Sequence, residues 1–100
     1  MVKHIILWKL KDEYSKEQKI TIKQEIKENL EGLKGRIPGL IDIKVITEGL
    51  AGSNADLMLD SSFENEEALK LYAAHPAHVA VADRNVRPFT AERNCMDFEL

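Results

Sequence analysis

The sequence predicts an α+β fold, a four-stranded antiparallel sheet with helices on one side. Three observations predict it. Apolar residues recur at helical spacing in two stretches and alternate at strand spacing in four others. Cap and turn residues divide these stretches in the order strand, helix, strand, strand, helix, strand. Several strands also carry large apolar groups on both faces, more than one layer of helices can cover.

Val2–Leu10 reads as the first strand. Val2, His4, Ile6, Trp8 and Leu10 point one way, and Lys3, Ile5, Leu7 and Lys9 the other. Both sets contain bulky apolar groups, so both faces are expected to lie against something. Ser15 and Gln18 have the spacing of a capping box, which starts a helix. Ile22, Ile26, Leu30, Leu33 and Ile37 follow as one apolar stripe, with Lys16, Glu17, Lys23, Glu25, Lys27 and Glu28 on the solvated side. Gly35 and Pro38-Gly39 are expected to end that helix.

Residues 40–47 are rich in β-branched side chains and form the second strand, with Ile41, Ile43 and Val45 on one face and Leu40 and Ile46 on the other. A glycine-containing hairpin loop at 48–54 leads into a third strand at 56–63, where Leu57, Leu59, Ser61 and Phe63 share a face. Asn65 caps the next helix, whose buried stripe is Ala68 or Leu69 with Tyr72 and Ala73. His75 precedes a proline, which pushes it out of helical geometry and ends the helix. Pro76 suits the first position of a further short segment, with Val79, Ala82, Val86 and Phe89 as its apolar side and Pro88 as its end. Residues 92–100 form the last strand, Met96, Phe98 and Leu100 opposite Arg93, Cys95 and Asp97.

This order is the ferredoxin-like split pattern, βαββαβ, expected as one domain over residues 1–100. Helices cover one sheet face in that arrangement, so the apolar groups on the other face need a partner. A face-to-face homodimer, two sheets curling into one barrel, is the expected solution.

Composition narrows the function. Apolar residues at 44% and charged residues at 31% are ordinary for a globular protein. A net charge of −3 argues against a nucleic-acid partner, which calls for a basic face. The single Cys95 excludes an internal disulfide and a cysteine-rich metal cluster, and fits a reducing cytoplasm. The apolar run Ile5-Ile6-Leu7-Trp8 is cut by Lys9, too short for a signal peptide or a membrane span. With no glycine-rich phosphate loop and no nucleophile elbow, no cofactor is expected.

The densest chemistry lies at residues 71–83, with Tyr72, His75, His78 and Asp83. An imidazole titrates near neutrality and can act as base or acid, and a phenol can donate to a developing oxyanion. Tyr72 and His78 are six apart, on different faces of a continuous helix, so the break at Pro76 is what lets both turn inward. Each has a plainer reading too. His78 can tie the short helix to a backbone carbonyl, Tyr72 can be core, His75 can be a cap, and His4 can be a satisfied buried imidazole. His75 and His78 with Asp83 nearby form the only metal pattern of this stretch. Their i, i+3 spacing across a proline does not match a metal-binding helix, and no metal is expected. Arg84, Arg87 and Arg93 are read as solvated charge rather than an anion site.

The string Tyr72-Ala73-Ala74-His75-Pro76-Ala77-His78-Val79, with Lys3-His4-Ile5-Ile6-Leu7 before it and Ile37-Pro38-Gly39 between, resembles the stress-responsive dimeric α/β-barrel (Dabb) family over essentially the whole chain. The resemblance implies a ferredoxin-like subunit that dimerises through its sheet and holds a cavity between helices and sheet. Most members have no assigned reaction. In polyketide-cyclising members a tyrosine and the second histidine of this string face the cavity, the histidine as base. Those positions match Tyr72 and His78, and His4 matches a pocket histidine. Where those members carry a third-strand histidine and a first-helix tyrosine, this chain has Leu57 and Leu30, which implies a more apolar cavity. The ligand-lining set is then His4, Trp8, Leu30, Leu57 and His75. Three readings stay open: a dimer binding a small apolar or aromatic molecule, a cofactor-independent cyclase or lyase using His78 and Tyr72, and a structural dimer with a filled cavity.

Overall fold

A computed structural model describes residues 1–100. Strand β1 (Val2–Leu10) is followed by helix α1 (Lys16–Glu31), β2 (Leu40–Ile46), β3 (Leu57–Phe63), α2 (Glu66–Ala74), α3 (Pro76–Val81), a π-helical turn (Ala82–Val86) and β4 (Thr90–Glu99). The sheet runs β2-β3-β1-β4 with every pair antiparallel, the ferredoxin-like arrangement. Both predicted caps are present. Ser15 and Gln18 exchange hydrogen bonds in a full capping box, and Asn65 Oδ1 accepts from the Ala68 N–H at 2.8 Å.

Two local expectations are corrected. The first helix stops at Glu31, before Gly35. Leu33 and Ile37 still enter the core, carried by tight turns in which Leu33 N–H donates to Leu30 and Arg36 N–H to Leu33. Helical spacing and successive tight turns both return a side chain to the same side, so the apolar stripe overran the helix. In β2 the register slips between Leu40 and Asp42, a bulge that gives the strand one extra residue. Leu40 therefore packs inward beside Ile43 and Val45, while Ile41 is exposed.

Val2, Ile6, Trp8, Leu10, Leu59 and Phe63 on the sheet meet Ile22, Ile26 and Leu30 of α1 in one core. The free edge of β2 is partly occupied by α1, since Val45 N–H donates to Glu31 Oε2 at 2.9 Å and Lys27 Nζ to the Val45 carbonyl at 2.9 Å. On the opposite face, strand register lines up Ile46, Met58 and Leu7 in one row and Ile5 with Met96 in another. Leu7, Ile46, Met96 and Phe98 are all exposed there.

Candidate ligand-binding cavity

Helical periodicity in α2 sets Ala68 and Tyr72 one turn apart on the side facing the sheet, and both are buried. The Tyr72 ring lies 4.9 Å from Phe63 and 6.2 Å from His4, centroid to centroid. Only 1% of Tyr72 is exposed, yet its hydroxyl has no hydrogen-bond partner. Burial raises its pKa well above the ordinary phenol, so the group stays a neutral O–H donor.

The chain breaks at His75, which closes α2 in extended geometry and caps α3 with Nδ1, accepting from the Ala77 N–H at 3.1 Å. The new helix direction brings His78 back over Tyr72, with ring centroids 4.2 Å apart. His78 Nδ1 lies 3.3 Å from the Ala73 carbonyl oxygen. A carbonyl can only accept, so Nδ1 carries the hydrogen and Nε2 of the neutral ring keeps its lone pair. Burial lowers the His78 pKa, helped by nearby Arg87, His4 and Arg93 and opposed by the Ala73 bond. The ring is thereby biased toward its neutral, basic form.

Tyr72, His78, His4, Trp8 and Leu30, all named from the sequence, come together around a cavity of about 130 Å³. Leu57 is buried but lies in the core, opposite Trp8 on the neighbouring strand and outside the cavity lining. His75 is outside it too, occupied as a cap. Ala82, Val86 and Thr90 complete the wall without having been expected there, and Arg87 and Arg93, expected as solvated charge, both line the cavity. The side chains of β4 reach the site through strand pairing, which leaves no periodic mark in the sequence. His4, Leu69, Ala73 and Arg93 also line a wider open cleft of about 700 Å³ between α2 and β4.

The same pairing places Asp97 opposite His4, whose Nδ1 meets the carboxylate in a close hydrogen bond. Cys95 lies beside them, and donor atoms of His4, Cys95 and Asp97 all fall within 4.8 Å of one another. Burial, followed by the Asp97 carboxylate, pushes the Cys95 thiol pKa up. Together these walls offer a neutral base, a neutral donor, two guanidinium groups and an apolar floor. No helix of the chain is long and apolar enough to cross a membrane.

Comparison with known proteins agrees with this architecture. The sequence profile of the Stress responsive A/B Barrel Domain matches residues 2–100. Olivetolic acid cyclase of Cannabis sativa is 32% identical over 85 residues, which span 82% of this chain and 80% of that one. A crystal structure from Bacteroides fragilis, described as a dimeric protein of unknown function with a ferredoxin-like fold, superposes with a TM-score of 0.91 at 34% identity, covering 99% of this chain and 95% of that one. A protein from Arabidopsis thaliana superposes at 0.80 with 25% identity, covering 100% and 95%.

Proposed function

The chain belongs to the stress-responsive A/B barrel domain family, and from that premise we propose that it works as a homodimer in which each subunit binds a small apolar or aromatic molecule between helices and sheet. The observation that carries this reading is the Tyr72 hydroxyl, buried and unpartnered on the wall of a cavity. No protein group accepts from it, so its hydrogen is available to a ligand oxygen inside the cavity, a bond worth about 1 kcal/mol net. The chamber of about 130 Å³ is close to the roughly 150 Å³ of an apolar cavity known to accept benzene. It suits one ring or a short branched chain, with the rest of the ligand in the adjoining cleft.

Trp8 is the chain's only tryptophan and lines the cavity, so its fluorescence reports occupancy. Titration with 4-ethylacetophenone should give a saturable change. Tyr72→Phe should weaken that ketone about tenfold, one lost hydrogen bond, and leave 4-ethyltoluene unaffected. No saturable response to either compound at millimolar concentration would remove the reading. The exposed apolar sheet face is the proposed dimer surface, by analogy with the dimeric Bacteroides relative. A cytoplasmic location is part of the proposal, supported by the lone thiol.

One observation favours a second reading, cofactor-independent proton transfer: His78, biased toward its neutral form by burial and bonded through Nδ1 to Ala73, lies with its ring 4.2 Å from the Tyr72 ring, centroid to centroid. His78 would take the α-proton of a poly-β-keto thioester, and the carbanion would attack a ketone carbon of the same molecule. Tyr72 would donate to the resulting alkoxide, and the His78 imidazolium would return the proton to it, closing an aldol ring. The similarity to a cyclase supports this chemistry. Ring-closed product, lost in His78→Ala and Tyr72→Phe while circular dichroism is unchanged, would establish it. Equal turnover by the variants would discard it. The third reading, a filled structural cavity, turns on volume: the chamber alone is smaller than the few hundred Å³ of a typical ligand site, and the adjoining open cleft of about 700 Å³ supplies the rest.

A further inference from the structure

Strand pairing turns three donor groups of different chemistry toward one point. His4 and Asp97 face each other across the β1–β4 ladder, and Cys95, two residues from Asp97, lies on the same face. Cys95 Sγ is 3.7 Å from His4 Nδ1 and 3.5 Å from Asp97 Oδ1. Donors held tetrahedrally at the ~2.0–2.3 Å bond lengths of zinc stand roughly 3.3–3.8 Å from one another. Two edges of such a polyhedron are therefore already in place. The third, between His4 and Asp97, is spanned by a hydrogen bond that an ion would replace.

We infer that His4, Cys95 and Asp97 form a binding site for a zinc-like divalent cation, with its fourth coordination position open to the cleft between α2 and β4. All three residues line that cleft, which leaves room for water or a ligand oxygen at the open position. Thiolate and imidazole select zinc or cobalt(II) over magnesium or calcium, which prefer oxygen donors. The buried His4 ring, anchored on the central strand β1, supplies the fixed corner, and the exposed Cys95 and Asp97 can adjust to the ion. Protons balance simply. The His4 ring moves its hydrogen to Nε2 so that Nδ1 can coordinate, and the Cys95 thiol gives its proton to solvent. The three side chains lie on the helix-side face of the sheet, opposite the proposed dimer surface. The inference goes beyond the ligand reading and does not depend on it.

Cobalt(II) titration of untagged, metal-free protein tests it. One ion per chain should bind, with a near-ultraviolet thiolate-to-cobalt charge-transfer band and visible bands of tetrahedral intensity, and zinc should displace it. Cys95→Ser should abolish the charge-transfer band and weaken binding at least tenfold. Asp97→Asn should weaken binding about tenfold and keep the band. Both positions are exposed on β4, and unchanged circular dichroism would confirm that the variants fold. Absence of the band in the unmodified protein, or binding that neither substitution weakens, would overturn the site.

Discussion

Tyr72 and His78 carry opposite consequences for stability and function. The Tyr72 hydroxyl is buried without a protein partner, so removing it breaks no bond within the chain. Tyr72→Phe should leave stability unchanged or raise it by about 1 kcal/mol in urea unfolding, while weakening ketone binding. A loss of stability above ~1 kcal/mol would show that the hydroxyl is satisfied after all. For His78, the folded-state pKa lies below the ordinary 6.5 because burial disfavours the cation. The unfolded chain then binds more protons than the folded one as pH falls through 6.5. His78 therefore contributes stability that is present above that value and is lost on acidification toward its lower folded pKa. The stability of the parent protein should fall more steeply between pH 7 and 5 than that of His78→Gln, measured by urea midpoints at each pH. Parallel curves would contradict the shift. The residue types were legible in the sequence, and so was the break at Pro76 that pairs them. The bond from His78 to Ala73 fits the structural reading of that histidine, and it also fixes the tautomer a base requires.

Elements were legible where a local rule governs them. Ser15, Asn65 and Pro76 mark helix starts by chemistry confined to a few residues, and all three start helices. Leu33, Ile37, Leu40 and Ile41 were harder to place, because tight turns and a bulge shift the phase of an apolar pattern without changing its composition. The π-helical turn at Ala82–Val86 is of the same kind. It adds a residue to the helical repeat, presenting Ala82 and Val86 to the cavity with no sequence signature of its own. Partners of the site drawn from β4 could not be assigned before the β1–β4 register was known. Gly39 shows how closely the elements fit. It has φ of 83°, and a Cβ there would stand 2.5 Å from Ala68 Cβ in α2. Gly35 has nearly the same φ, 82°, with open space around it. Gly39→Ala should cost about 2–4 kcal/mol and Gly35→Ala about 1 kcal/mol in urea unfolding, since only the first adds a clash to backbone strain. Equal losses would mean that α2 can move aside.

At the scale of the molecule, one sheet serves two purposes. Its inner face, with α1, α2 and the segment after Pro76, encloses the cavity. Its outer face presents rows of Ile5, Leu7, Ile46, Met58, Met96 and Phe98 that no helix covers. That two-sided pattern was visible in the alternation of the first and last strands, and it is the part of the account on which the barrel depends. Because Leu7 is exposed on the outer face of the subunit, Leu7→Lys should cost the isolated fold within ~0.5 kcal/mol, as an exposed substitution does, while opposing association by burying an unpaired charge. A large loss of secondary structure in that variant would place Leu7 in the subunit's own core. Sedimentation velocity at micromolar concentration tests the two-faced sheet most directly. A sheet apolar on both faces should give a folded species of about twice the 11.4 kDa chain mass, reduced to one chain by Leu7→Lys. A well-folded 11.4 kDa monomer showing no self-association would contradict it.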